Sequence, residues 1–78
     1  MKKELETLDL HNKRHEEGNF LIEKFITDNL EELPVRIVTG HSKVFMGKVN
    51  DFSEKYELGC YPENPDNLAS WLILKSKI

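Results

Sequence analysis

Two short polar segments, LDLH at residues 8–11 and TGHS at residues 39–42, carry side chains that could do chemistry. In the first, Asp9 and His11 could act as an acid–base pair, or Asp9 could orient the imidazole of His11. The Asp9 carboxylate could also hold a divalent metal ion, magnesium or manganese, through its oxygens. A pair of this kind is more often a solvated strand end, so the pair alone does not decide for a catalytic role.

The second segment could bind a phosphate group. Gly40 can adopt a positive φ, and the turn from Thr39 to Ser42 would expose N–H groups ahead of a helix, where phosphate oxygens bind. His41 could contact the same phosphate or donate a proton to a leaving oxygen, and it could equally be a surface loop residue. Ser42 is first of all a helix cap. A turn with one glycine is a weak signal by itself.

Basic residues would surround both segments in the predicted fold and make the mouth of the site locally positive. They are Lys13, Arg14, Lys43 and Lys48. Scattered lysines usually serve only solvation, so these residues are suggestive of a phosphate site and no more. Asp9, His11 and His41 also combine the ligand types of a mixed metal site, although no strict spacing supports one.

Other residues with suitable chemistry have a simpler structural role. His15 falls on the inner stripe of the first predicted helix and is expected to be a packed or boundary residue. Trp71, Tyr61 and Phe45 could stack on a base if they were exposed, although core or hairpin packing is their commoner use. Phe45 is expected to lie off the centre of the inner stripe of its helix.

Hydrophobic patterns predict the elements that position these segments. Residues 5–10 alternate as a strand that ends in LDLH. Residues 13–32 repeat apolar or small side chains with a period near 3.6, which predicts an amphipathic helix with Asn12 as its N-cap. Gly18 costs this helix about 1 kcal/mol relative to alanine and is expected to approach the sheet closely. Residues 35–40 are apolar and β-branched, as in a buried parallel strand.

The second half of the chain contains one more helix and a terminal hairpin. Ser42 is predicted to cap the helix, and Gly59 is predicted to end it in the C′ position. The inner stripe of this helix is predicted to consist of Met46, Val49, Phe52 and Tyr56. The segment CYP is a brief strand, ENPDN forms a turn, and residues 68–75 form the last strand.

These elements predict an α/β fold, an α+β two-layer sandwich in the order β-α-β-α-β-β. The crossovers should be right-handed, and a chain that advances across the sheet in one direction places both helices on one face of a four-stranded mixed sheet. The other face stays partly open. Because ligands bind at the carboxyl ends of parallel strands, and LDLH and TGHS both follow such ends, the two segments are expected to meet.

Length and composition limit the class of protein. Residues 1–78 are expected to form one domain, with fraying in residues 1–4. The net charge of −3 counts mildly against a general coat protein of nucleic acids, which would normally be basic. The single cysteine, Cys60, excludes a disulfide within the chain. With neither a membrane span nor a signal peptide recognised, a cytoplasmic, soluble protein without a membrane partner is expected.

With these motifs in this order, residues 7–75 resemble the Smr (small MutS-related) domain family. Its first hallmark, L-D-x-H at the end of the first strand, is matched in full by LDLH. Its second hallmark, T/H-G-x-G at the end of the second strand, is matched at Thr39 and Gly40, with Ser42 in place of the second glycine. Asn12 stands where the family usually has a glycine.

The resemblance implies a fold like that of the C-terminal domain of translation initiation factor three. It also implies nucleic-acid binding and, for some members, metal-assisted endonuclease activity on DNA or RNA. Asp9 and His11 match residues implicated in that activity. The turn from Thr39 to Ser42 matches one that is thought to contact the phosphate backbone.

Two hypotheses about function follow. The first is a small endonuclease in which Asp9 holds a metal or positions His11, and His11 or His41 serves as the acid or base. The second is a module without chemistry that keeps the fold and the phosphate turn and recognises RNA or a protein partner through the open sheet face. The intact LDLH favours the first hypothesis, whereas the acidic charge and the altered second motif favour the second.

Overall fold

The alternating strands and helices build one mixed sheet in the computed structural model, which describes residues 5–75. The strands are β1 (Thr7–Asp9), β2 (Val35–Val38), β3 (Gly59–Asn64) and β4 (Asn67–Leu74), and the helices are α1 (His15–Asp28) and α2 (Lys43–Lys55). The predicted order β-α-β-α-β-β, with a four-stranded mixed sheet and both helices on one face, is confirmed. The expected fraying of residues 1–4 lies outside the described residues.

The strand order decides which ends of the elements come together. The sheet runs β1-β2-β4-β3, with β1 parallel to β2 and β4 antiparallel to both of its neighbours. Strands β1, β2 and β3 therefore point the same way, and their carboxyl ends share one edge of the sheet. Helices α1 and α2 follow β1 and β2 in the chain, so both helices begin at this edge.

The core lies between the two helices and one face of the sheet. The register pairs Val35 with Ile73, and both side chains are fully buried, as is Ile37. The helices contribute Ile22, Ile26, Phe45 and Val49, and Leu10 and Leu58 complete the cluster. Each such burial contributes about 1.5–3 kcal/mol, which is how so short a chain can hold two helices against a sheet.

Gly18 allows α1 to approach α2. A Cβ atom built on Gly18 would lie 2.6 Å from Cε1 of Phe45, a separation that real Cβ atoms do not adopt. The prediction that Gly18 approaches the sheet closely is therefore wrong, because its close neighbours are side chains of the other helix. The prediction that Phe45 lies off the centre of the inner stripe is also wrong, since its side chain is only 2% exposed.

Helix α1 is shorter than the periodicity predicts. Arg14, rather than Asn12, is the N-cap residue, and the backbone N–H of Arg14 donates to Oε1 of Glu17 at 2.9 Å. At the other end the side-chain amide of Asn29 donates to the carbonyl of Phe25 at 2.8 Å, and this bond ends the helix several residues before Pro34.

Helix α2 begins at the predicted cap and ends before the predicted stop. Ser42 is its N-cap, and the helix ends at Lys55. Glu57 adopts a left-handed φ of 59°, and the N–H of Leu58 donates to the carbonyl of Ser53 at 2.8 Å. This is the Schellman arrangement, with Glu57 in the position that the sequence analysis gave to Gly59. Gly59 instead begins β3.

The sheet face opposite the helices carries a charged network. Arg36 alternates with the buried Val35 and Ile37, so its side chain points to this face. Its Nε donates to Oε1 of Glu63 at 2.8 Å and its Nη2 to Oε2 at 2.6 Å, and the hydroxyl of Ser70 donates to the same Oε1 at 2.6 Å.

Neither α1 nor α2, the helices of residues 5–75, has the length and apolar character of a membrane span.

Candidate functional site

The segments LDLH and TGHS lie side by side at the carboxyl ends of β1 and β2. Asp9 pairs with Val38 in the register, and the N–H of Leu10 donates to the carbonyl of Val38 at 2.8 Å. Gly40 has a φ of +63°, and a Cβ atom built on it would lie 3.2 Å from Cβ of His11. The two segments that were expected to meet are therefore in direct contact.

Asp9 holds His11 through two contacts with one oxygen. Oδ1 of Asp9 accepts the backbone N–H of His11 at 3.1 Å and also contacts Nδ1 of the His11 ring. The hydrogen bond from the ring lowers the pKa of Asp9 below its usual value, and the backbone N–H lowers it further. A carboxylate at this position favours the proton on Nδ1, so Nε2 of neutral His11 is left as an acceptor. Both side chains are about half exposed, at 53% and 52%, so that nitrogen is accessible to a substrate.

Thr39 and Gly40 contribute less to a phosphate site than predicted. The backbone N–H groups of Thr39 and Gly40 both donate to the carbonyl of Ala69 in β4, at 2.8 and 3.1 Å. The hydroxyl of Thr39 donates to the carbonyl of Gly40 at 2.9 Å, and Thr39 is buried. These two residues therefore shape the turn and join it to β4, and their N–H groups are not presented to a ligand.

The N-terminus of α2 offers the remaining backbone donors. The N–H of Phe45 donates to the Ser42 hydroxyl at 3.1 Å, and that of Met46 to the Ser42 carbonyl at 3.0 Å. The N–H groups of Lys43 and Val44, in the first turn, have no carbonyl within the helix to accept them. These two groups and the positive end of the helix dipole suit an anion.

His15 belongs to this edge, which the sequence analysis missed. Its side chain is exposed rather than packed into the core. Its ring contacts the ring of Phe45 edge-on, with 5.1 Å between the centroids, and its Nε2 lies 3.4 Å from Oγ of Ser42. The missed signal is its place in the chain, because His15 is the first residue of α1 and therefore sits at the edge where both helices begin. We call Asp9, His11, His15 and residues 40–43 the rim site.

His41 and Lys43 of the rim site are exposed, as are Lys13 and Arg14 beside it. His41 makes no side-chain hydrogen bond within residues 5–75. Lys13, Arg14 and Lys43 are exposed, and Lys13 lies near enough to Asp9 to help lower its pKa. Lys48, in contrast, bridges the helices, because its Nζ donates to Oδ1 of Asn19 at 2.7 Å.

The aromatic residues considered for base stacking are not gathered at the rim site. Phe45 lies in the core and is closed to a base. Tyr61 and Trp71 are partly buried within the hairpin of β3 and β4, where they pair with Leu72 and Pro62. Nε1 of Trp71 is buried without a hydrogen-bond partner among the described residues.

The side chains at the rim site do not form a ligand set for a resident metal ion. Among residues 5–75, no group of three or more histidine, cysteine or acidic side chains is placed to hold one. Asp9 supplies a single carboxylate, and its Oδ1 already faces His11. The predicted magnesium or manganese ion therefore stays a prediction, and the chemistry of the site is derived from its side chains.

Comparison with known proteins does not assign a function, so the function is inferred from this geometry. Neither a protein-family model, nor a curated protein, nor a solved structure matches the chain. The resemblance to the Smr domain therefore rests on LDLH, on TGHS and on the order of the elements. Those features and the contacts at the rim site are the basis for a functional proposal.

Proposed function

We propose that this protein binds nucleic acid at the rim site and cleaves its phosphodiester backbone, as a small Smr-like endonuclease. One observation carries the proposal: His11 is held through Nδ1 by Asp9 and lies against the Gly40 turn, next to the N-terminus of α2. A general base needs a fixed ring, a free ring nitrogen and a nearby site for the reacting group, and His11 meets these three conditions.

The proposed binding mode uses the backbone N–H donors and the basic side chains at the carboxyl ends of β1 and β2. A backbone phosphate lies at the start of α2, where it accepts hydrogen bonds from the N–H groups of Lys43 and Val44. Lys13, Arg14 and Lys43 supply positive charge around it. This local charge lets a chain with a net charge of −3 hold a polyanion at one edge.

The proposed chemistry uses His11 as the base and Asp9 as the residue that orients it. Nε2 of His11 takes the proton of the attacking hydroxyl or water, while Asp9 keeps the ring oriented and stabilises the imidazolium that forms. Such an arrangement contributes about 100-fold to 10,000-fold to a rate. A divalent ion would add charge neutralisation at the phosphate, but no step of this mechanism depends on it.

Cleavage of labelled single-stranded RNA, single-stranded DNA and supercoiled plasmid tests the proposal. The wild type is compared with Asp9→Ala and His11→Ala, each with magnesium, with manganese and with a chelator. Asp51→Asn is the matched control, because it removes an exposed acid on α2 outside the rim site. We expect cleavage by the wild type and the control, and loss of at least about 100-fold in the two rim variants. No cleavage by any of these proteins would rule out the endonuclease.

A binding module without chemistry is the second candidate function. It is favoured by the hydrogen bonds from Thr39 and Gly40 to Ala69, which remove two N–H groups from the turn that Smr-like cleavage would use. Its protein partner would lie on the open sheet face, where Glu63 already neutralises Arg36, so that contact would be largely uncharged. Retained nucleic-acid or protein binding with no cleavage would identify this function. A cytoplasmic location stays a prediction for both candidates.

A further inference from the structure

We propose that His15 is the second catalytic imidazole of the rim site, that it protonates the leaving oxygen, and that the substrate is RNA. This inference rests on the proposed function. It concerns a residue that was predicted to be packed or at the boundary of the core, and it gives the proton donor that the mechanism with His11 alone lacks.

The positions of the two histidines suit an acid and a base. His11 touches Gly40 at the beginning of the turn between β2 and α2, and His15 reaches Ser42 at its end. The two imidazoles therefore flank the same short turn from its two ends. A phosphate held at the start of α2 would have one imidazole near each side, as an acid and a base acting on opposite oxygens require.

The ring of His15 is held in place by two contacts. It meets Phe45 edge-on at an interplanar angle of 89°, and Phe45 is itself fixed in the core against Gly18. Its Nε2 lies 3.4 Å from Oγ of Ser42. Ser42 is thereby a positioning residue as well as the N-cap of α2. His41 has no comparable contacts within residues 5–75, so we assign the acid to His15.

RNA is the substrate that a pair of imidazoles suits. RNA carries its own nucleophile, the 2′-hydroxyl, beside the phosphorus. Nε2 of His11 takes the 2′-hydroxyl proton as the O2′–P bond forms, and protonated His15, whose Nε2 stays on Ser42, gives its Nδ1 proton to O5′ as the P–O5′ bond breaks. The products are a 2′,3′-cyclic phosphate and a 5′-hydroxyl, and both histidines return to their starting states by proton exchange with water. Two imidazoles are sufficient for this reaction, which DNA cannot undergo.

The test uses two oligonucleotides that differ by one atom. Each is a DNA strand with a single ribonucleotide, and the leaving atom is either the natural 5′-oxygen or a bridging 5′-sulfur. A thiolate leaves without prior protonation, so loss of the general acid harms cleavage of the oxygen substrate only. His15→Gln keeps an amide nitrogen near Ser42, and His15→Phe keeps the ring on Phe45, so a shared effect of both variants reports the lost proton. Thermal unfolding confirms that each variant is folded.

We expect His15→Gln and His15→Phe to slow cleavage of the oxygen substrate by about 100-fold and of the sulfur substrate by less than about 3-fold. His11→Gln should slow both. Equal losses on the two substrates in the His15 variants, or no loss on either, would overturn the assignment of His15 and leave the endonuclease intact. Rescue by sulfur in His41→Gln instead would assign the acid to His41. Wild-type cleavage of the all-DNA strand would overturn the RNA substrate, and no wild-type cleavage at all would overturn the proposed function itself.

Discussion

Gly18 and Phe45 interlock the two helices: a Cβ atom built on Gly18 would lie 2.6 Å from Cε1 of Phe45. Phe45 is buried, and its ring also contacts the ring of His15 edge-on. A packing contact in the core is thus linked through one aromatic ring to the rim site. The contact also explains why α1 keeps a glycine within its length despite the lower helix propensity of that residue.

Gly18→Ala should therefore destabilise the protein by about 1–3 kcal/mol, because the added methyl group overpacks against a buried ring that cannot move away. Gly47→Ala is the matched control, since no atom lies within 4 Å of a Cβ built there. That variant should gain up to about 1 kcal/mol from helix propensity. Urea unfolding midpoints at equal m-values measure both changes, and similar gains in the two variants would contradict the interlock.

Glu57→Gly should stabilise the protein by about 0.5–1 kcal/mol. Glu57 holds a φ of 59°, a region that disfavours residues with a Cβ atom, whereas glycine adopts it freely. Glu57→Ala is the control, because alanine removes the carboxylate and keeps the Cβ atom, so it should change stability little. Thermal unfolding of the three proteins decides the matter. An equal gain from alanine would place the effect in the charge rather than in the backbone.

The order of the elements and the meeting of the two motifs were predictable because both follow from local pattern. Periods of two and of 3.6 identify strands and helices, and parallel strands share an edge for their carboxyl ends. Contacts between residues that are far apart in the sequence were not predictable in this way. The N–H groups of Thr39 and Gly40 bond to Ala69 because β4 inserts between β2 and β3, and no periodicity specifies that insertion.

The role of His15 was missed for a related reason. A stripe counted from residue 13 places His15 on the buried face, but α1 begins at His15 itself. A side chain in the first turn lies at the end of the helix, next to whatever begins there. Here the neighbour is the capping Ser42 of α2, with Nε2 and Oγ 3.4 Å apart.

Glu63 should contribute to the loss of stability in acid. The hydrogen bonds from Arg36, and then from Ser70, hold the pKa of Glu63 below its ordinary value of 4.5. Because the pKa is lower in the folded state, the carboxylate stabilises the protein fully above its unfolded pKa, and this contribution is lost as the pH falls through the folded pKa. Glu63→Gln should thus make stability less dependent on pH below about 4.5.

The measurement is the free energy of unfolding in urea from pH 7 to pH 3. At pH 7 the Glu63→Gln variant should lose less than about 1 kcal/mol, because solvent reaches the ion pair. Part of the acid dependence should remain, since hydrogen bonds also lower the pKa values of Asp9 and Glu23. Glu31→Gln, at an exposed position, is the control and should behave as the wild type. An unaltered acid dependence in Glu63→Gln would show that the pair contributes nothing to it.

Asp9→Asn should separate the orientation of His11 from the fold of the turn. The amide oxygen of asparagine can still accept the backbone N–H of His11, so the melting temperature should change little. Asparagine cannot stabilise the imidazolium, and its NH₂ group favours the wrong tautomer, so the cleavage rate should fall by about 100-fold or more. Single-turnover cleavage of RNA measures the effect. A wild-type rate in Asp9→Asn would remove Asp9 from the chemistry.

Lys43→Gln should weaken nucleic-acid binding at all sequences and reduce its dependence on salt. Each phosphate contact with a cation releases about 0.7 counterions from single strands, so loss of one contact lowers the slope of log K against log salt by about that amount. Lys24→Gln is the matched control, because Lys24 lies in α1 away from the rim site and is paired with Asp28 at 2.9 Å. Fluorescence anisotropy with a labelled single strand between 50 and about 200 mM salt gives both slopes. Equal slopes for Lys43→Gln and the wild type would mean that the side chain of Lys43 does not contact the phosphate.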